Sequence, residues 1–259
     1  MAIHETAIVS PDAKIGEDVT IGPYSIIEDN VIIGDGCIID SHVKIARYTT
    51  MGKKCRVYLG ALIGEEPQDH RCVHGIKSYT EIGDETVIRE YVTIHRSPFE
   101  EQKTIVGNHC LLMAFVHLGH DCILHNNITI ANNTIIAGHV EIFDGAVLSA
   151  SIAVHQFCRI GSMAMVAPML KIVQDIPPYC LLNDDGHVHS PNVIALKRSG
   201  MSIEGRKSIK QAIKTYFFKG LIAKNAIAEI EENNDTPESK SFIDFIKNSE
   251  RGIVSGNTK

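Results

Sequence analysis

Four histidines, His117, His120, His125 and His139, crowd the stretch from Leu112 to Val140. Imidazoles gathered this way suit two kinds of chemistry. One is metal binding through neutral ring nitrogens. The other is general-base catalysis, in which a near-neutral imidazole beside a carboxylate takes a proton from a hydroxyl. Asp121 follows His120 directly and supplies such a carboxylate. Choosing between the two requires knowing which histidines are neighbours in space. That depends on the element that carries them.

The element is a repeat. An aliphatic residue or Met recurs every six positions from Ile3 through Val9, Ile15 and Ile21 to Ile63. The series breaks from about Gly64 to Glu81 and resumes, one residue out of step, at Ile82, Ile88 and Ile94. One anchor is lost between Arg96 and Lys103, and the frame then runs from Val106 to Ile172. An amphipathic helix repeats at 3.6 residues, so this is no helical array. Gly, Asp or Asn often follows an anchor, which is turn chemistry. The fourth residue after it is small or β-branched, as at Ala13, Val43, Thr134 and Ala164. Short strands with a corner every six residues predict a triangular coil of 18 residues, an all-β solenoid. We expect a left-handed parallel β-helix over residues 1–180, with loops pushed out near 64–81 and 96–104, and an α-helical domain over 191–259. The left-handed coil is an exception to the usual crossover rule.

The coil length then sorts the histidines. His120, His139 and His155 are 19 and 16 residues apart, within about one residue of whole turns. Coils stack at roughly 4.8 Å, so these three predict a ladder of imidazoles on one edge. Gly138 lies one full coil above His120 and lets backbone approach a ligand closely. His125 falls about five residues away round the perimeter. His120-x4-His125 has the spacing of the γ-class carbonic anhydrases, but that class needs a further histidine about two coils earlier. Asp84 and Arg89 stand there instead. A base, with a backbone N–H one coil away for the oxyanion, is the better fit.

Composition narrows the function classes. The chain has 259 residues, 44% hydrophobic, with 6% aromatics and no Trp, which suits thin aliphatic layers. No apolar run is long enough to span a membrane. The N-terminus lacks the order of a signal peptide, so the cytoplasm is the expected location. Seven cysteines without a CxxC pair argue against a disulfide framework. Cys37, Cys55, Cys110, Cys122 and Cys158 occupy the small interior position of the repeat, whereas Cys72 and Cys180 fall outside it.

A net charge of −6 excludes a general nucleic-acid binder, but the charge is uneven. Between Pro191 and Lys224 stand Lys197, Arg198, Arg206, Lys207, Lys210, Lys214, Lys219 and Lys224, against the single acid Glu204. Lys207, Lys210 and Lys214 share one helix face by spacing. Such a face suits an acidic partner or a phosphate-bearing ligand. After Ile172 the prolines of QDIPPY are expected to end the coil. Ser202 is a predicted N-cap for a helix to about Phe218. Thr236-Pro237-Glu238 opens a last helix to about Asn248.

Several longer motifs carry a family resemblance. HLGHDC at 117–122, IANNTIIAGHV at 130–140, AVHQFCRIG at 153–161 and QDIPPY at 174–179 resemble the UDP-N-acetylglucosamine O-acyltransferases of lipid A biosynthesis. GEEPQD at 64–69, IREYVTIHR at 88–96 and LKRSG at 196–200 match as well, so the likeness covers nearly the whole chain. The resemblance implies a homotrimer with active sites between adjacent coils. It implies transfer of a 3-hydroxyacyl group from acyl carrier protein to the 3-position of a UDP-sugar, with no metal and no dissociable cofactor. By position, it makes His120 the base, Asp121 its supporting carboxylate and Gly138 the oxyanion amide. His117, His139, His155 and Gln156 would line the sugar-nucleotide and pantetheine site. Gln68, Asp69, Arg71 and His95 would contact substrate, and Asn192 and Arg198 the nucleotide end. Pro168, Met169 and Lys171 would border the acyl groove. Acyl carrier protein would dock on the basic 197–224 segment.

Three departures from the family pattern stand out. Ser199 replaces a second arginine, Ile194 an acidic residue, and Pro168 a glycine that limits the depth of the acyl groove. Two other functions compete with this reading. The later N-acyltransferase of the pathway carries an N-terminal uridine-binding domain, for which a repeat beginning at Ile3 leaves no room. A non-catalytic scaffold would need neither the ladder, nor the aligned glycine, nor the basic cap.

Overall fold

The computed structural model describes residues 2–70, 72–234 and 236–256. Strands mostly of two residues wind three sheets of 11, 9 and 8 strands, parallel except for the last strand of the first sheet. We number the sheets by their first strands: Ala2–Ile3 in the first, Ile8–Val9 in the second and Lys14–Ile15 in the third. Register is in steps of 18, as in Ala2↔Thr20 and Ile8↔Ile26. The coil is left-handed, and helices follow it.

Why the chain turns every six residues is visible at each corner. The anchor points inward, and almost every one from Ile21 to Ile172 is buried. The third residue after it takes a left-handed backbone, as at Asp121 (φ 59°), His139 (59°) and Phe157 (65°). That conformation is costly for residues with a side chain. At many corners it is held by a ladder bond, in which the N–H at this position reaches the carbonyl one residue earlier in the coil below. His139 N–H to His120 O (2.9 Å) and Phe157 N–H to Gly138 O (3.2 Å) are examples.

Both insertions leave the prism at the same place. The first lies between strands Leu62–Glu65 of the second sheet and Tyr79–Ile82 of the third. The second lies between Thr93–His95 and Lys103–Val106, again second sheet to third. They emerge from adjacent coils directly below His120.

The prolines do not end the coil, contrary to expectation. Past Pro177 and Pro178, strand Cys180–Leu182 adds to the first sheet in parallel register with Met165–Val166. Val188–Pro191 then closes the sheet antiparallel. The prolines sit in a corner, where no ladder donor is required of them. The last turn is two residues short, which is why Cys180 escapes the six-residue frame yet is fully buried beside Leu182. Helices α1 (Val193–Arg198), α2 (Ile203–Phe218), α3 (Ala223–Asn233) and α4 (Pro237–Lys247) follow. Ser202 caps α2 by accepting from Gly205 N–H, and Thr236 caps α4 through Ser239. Ile209, Ala212, Ile213 and Phe242 of this domain are buried in one core with the coil.

Candidate active site

The corner from the second sheet to the third gathers the candidate catalytic residues. Its second position is His120, then Gly138, then Gln156 on successive coils. Its third position is Asp121, then His139, then Phe157. His120 Nδ1 lies 2.7 Å from Asp121 Oδ2. A carboxylate only accepts, so Nδ1 carries the proton and Nε2 presents its lone pair. Nε2 points to the first insertion, 3.5 Å from Asp69 Oδ2. A Cβ on Gly138 would stand 2.7 Å from both Nε2 and Cε1 of His120, so only glycine leaves the ring room. Among the described residues, nothing accepts from the Gly138 N–H. His139 Nε2 is 3.6 Å from Asp121 Oδ2, and its ring stands edge-on to His120 at 5.1 Å.

Electrostatics fix the roles. Burial acts to raise the Asp121 carboxyl. Hydrogen bonds from His120 and Ser97, with His139 nearby, outweigh it and hold the group below the usual carboxylate range. Asp121 is therefore an anion that accepts from His120 Nδ1–H and orients the ring. Two more imidazoles lie beneath. Burial, and secondarily His95, pushes His117 down to about 4. Burial also lowers His95, despite the bond from its Nδ1–H to the Glu66 carbonyl. Both are neutral near pH 7. Arg96, itself buried, holds the stem of the first insertion through Gly64 O (3.0 Å) and Glu66 (3.1 Å). This clamp supports the loop that carries Asp69.

A model of the hexapeptide bacterial transferases matches residues 12–47 and 103–138, and one described as UDP-N-acetylglucosamine O-acyltransferase, domain 2, matches 175–254. The acyl-[acyl-carrier-protein]–UDP-N-acetylglucosamine O-acyltransferase of Halorhodospira halophila is 38% identical over 97% of this chain and 98% of its own. The chain belongs to the UDP-N-acetylglucosamine O-acyltransferase family. A solved family member from Bacteroides fragilis superposes with a TM-score of 0.94 at 38% identity, covering 97% of this chain and 99% of that one. The Francisella novicida enzyme gives 0.92 at 37%, covering 98% and 94%. The chain is an acyltransferase.

Among family members' motif positions, the structure gathers His120, Asp121, Gly138, Asp69, His139, His117 and His95 at one edge. Gln68 is exposed on the loop beside Asp69. Arg71 lies outside the described residues. The imidazole ladder needs correction at its third rung. Phe157, not His155, stacks on His139, with ring centroids 4.7 Å apart and planes 9° apart. Stacking follows the 18-residue step from 139 to 157. His155 is instead exposed, with Nδ1 3.2 Å from the Arg251 guanidinium, and Gln156 is exposed beside it. His125 sits at the next corner, stacked on Phe143 and 3.0 Å from Glu141, so it shares nothing with His120. His120, Asp121 and His139 hold ligand-type atoms within 4.8 Å of one another, a set that could grip a cation. In this structure the same proximity forms the His120 Nδ1–H to Asp121 hydrogen bond.

Asn192 and Arg198 are elsewhere. Asn192 caps α1 through Ala195 N–H and donates to Met163 O (2.9 Å). With Arg198, Ile194 and Ser199 it borders a cavity of about 750 Å³ floored by Val147, Met165 and Leu181 of the first sheet. That sheet is opposite the His120 corner. Pro168 and Met169 lie at the corner from the first sheet to the second, and Lys171 faces outward on the second. Sequence reading missed Phe157, which the 18-residue step would have found. It also missed Ser97, which is off the period, and Thr104, whose place at the small interior position gives no sign that its hydroxyl turns toward Asp121.

Proposed function

We propose that this chain transfers a 3-hydroxyacyl group from acyl carrier protein to the 3-position of UDP-N-acetylglucosamine, or of its 3-amino analogue, as the first step of lipid A biosynthesis. The observation that carries this reading is the His120–Asp121 pair facing the unpaired Gly138 N–H. His120 Nε2 removes the acceptor proton as the acceptor attacks the thioester carbonyl. Gly138 N–H holds the oxyanion of the tetrahedral intermediate. Its collapse expels the pantetheine thiolate, which takes the proton back from His120. Asp69 orients the sugar. Direct transfer requires no resident metal or cofactor.

The parts of this site do not face one another in a single chain. The Asn192–Arg198 cavity and the His120 corner lie on opposite sides of the prism. A homotrimer, with Arg198 and Asn192 of one subunit serving the His120 corner of another, resolves this. His155 and Gln156 then border the pantetheine above His139. The acyl chain follows the outward column of the second sheet, where His117, Ile135, Ala153 and Lys171 stand in register. Ile135 and Ala153 make it apolar, and Pro168 with Met169 ends it. Replacing Pro168 by Gly should lengthen the preferred chain in a competition assay. An unchanged preference removes Pro168 from the groove.

Acyl carrier protein is acidic, and Lys207, Lys210 and Lys214 are exposed along the outer face of α2. We assign the docking to this face. None of the described helices is long and apolar enough to cross a membrane. A cytoplasmic location goes with these substrates. Mass spectrometry of products from a panel of UDP-sugars and 3-hydroxyacyl carrier proteins tests the whole reading. Failure to acylate any UDP-sugar would overturn it.

A further inference from the structure

The second insertion does something specific to the base. At the two coils directly above His120 on this corner, the left-handed third residue donates its N–H to the carbonyl below. His139 and Phe157 do so. For Asp121 the carbonyl in that place belongs to Arg96, where the chain departs into the insertion. Its N–H instead reaches the buried Thr104 hydroxyl, 2.8 Å away. Thr104 Oγ1 in turn donates to His95 O at 2.7 Å.

Three other interior hydroxyls of the coil behave differently. Ser25, Thr86 and Thr134 each donate to a corner carbonyl of the coil above, at Asp40, Gly107 and Ser149. Each accepts from the N–H of the equivalent residue one coil up, at Val43, Cys110 and Ile152. Thr104 is turned down to its own coil and takes the N–H of Asp121, one residue short of its equivalent, Cys122. The same insertion brings the buried Ser97 to the Asp121 carboxylate.

We infer that Thr104 and Ser97 are positioning residues that hold the Asp121 backbone and carboxylate so that His120 Nε2 is aimed at the acceptor. This rests on the reading of His120 as the base. Thr104 replaces the ladder bond that the insertion removes. Ser97 sets the carboxylate that this bond orients. Neither touches substrate. The insertion is thus a support for the base as well as a rim of the site.

The test compares Thr104→Val, Thr104→Ser, Ser97→Ala and His120→Ala in the full-length enzyme, with kcat and KM for the UDP-sugar and circular dichroism for folding. Thr104→Val should lower kcat about tenfold to hundredfold, with KM changed less than about threefold. Thr104→Ser should restore kcat to within about twofold of the parent, because the hydroxyl is what counts. Parental kcat in folded Thr104→Val overturns the inference, as does an equal loss in Thr104→Ser. If Thr104→Val does not fold, Ser97→Ala decides: lower kcat at constant KM supports the inference, and parental kcat overturns it. An active His120→Ala would instead mean the base assignment itself had failed. With His120→Ala inactive and both positioning variants unimpaired, only the inference about Thr104 and Ser97 falls.

Discussion

Two corners of the same prism use the same second position in opposite ways. Between the third sheet and the first, that position is a ladder of capping side chains. Asp35 accepts from Glu17 N–H, Asp84 from Lys53, Asn108 from Asp84, Asn126 from Asn108 and Asp144 from Asn126. Between the second sheet and the third, the corresponding residues are His120, Gly138 and Gln156. No side chain there caps the coil below, and Gly138 leaves its space to the His120 ring. One corner satisfies its backbone and is inert. The other gives up that bond and gains a cleft with an available N–H. The contrast shows that a solenoid makes a site by omitting a local stabilising device, which the remaining coils can tolerate.

The contrast predicts that changes at one corner affect rate and changes at the other affect stability. The largest effect belongs to His120→Ala, for which kcat should fall on the order of 10²–10⁴ with folding intact. Steady-state kinetics beside a thermal melt check it. Gly138→Ala comes next. Its Cβ would displace the His120 ring, and kcat should fall on the order of 10²–10³ while the melting temperature holds. A fully active Gly138→Ala enzyme would erase the distinction between the corners.

A smaller effect concerns pH. His117 titrates at about 4 in the folded protein, against 6.5 unperturbed. Between these values the unfolded chain binds a proton that the folded chain refuses. Stability from this group is therefore complete above about pH 6.5 and declines as pH falls toward 4. Allowing for solvent screening, the loss should reach up to about 2 kcal/mol. Denaturant titration across that window, with a flatter curve for His117→Asn, measures it. The smallest change is Asn108→Ala at the inert corner. It removes two exposed bonds, from Asp84 N–H and to Asn126 Oδ1, and should cost about 1 kcal/mol without altering kcat.

How much of this was legible in advance differs between the parts. Ile21, Ile39 and Leu118 announce a coil because a six-residue period of aliphatics has only one good way to bury itself. His120, Asp121 and Gly138 could be placed together because adjacent residues and residues 18 apart must be neighbours in such a coil. The same rule, applied loosely, allowed His155 to stand for the third rung. Side chains stack only in register, and Phe157 holds that place. The prolines before Cys180 were expected to end the coil because the final turn is two residues short, which no regular period can reveal.

The sequence by itself therefore determined the fold, the edge that carries His120 and the family motifs. Each follows from a repeat in which distance along the chain converts directly into position on the prism. Only the tertiary structure decided what the insertions do, because their residues are off the period. It alone brings Asp69 to His120, clamps the first loop through Arg96 and turns Thr104 toward Asp121. It also sets the Asn192–Arg198 cavity on the face opposite the base, because the short last turn and its antiparallel closing strand lead the chain to that side.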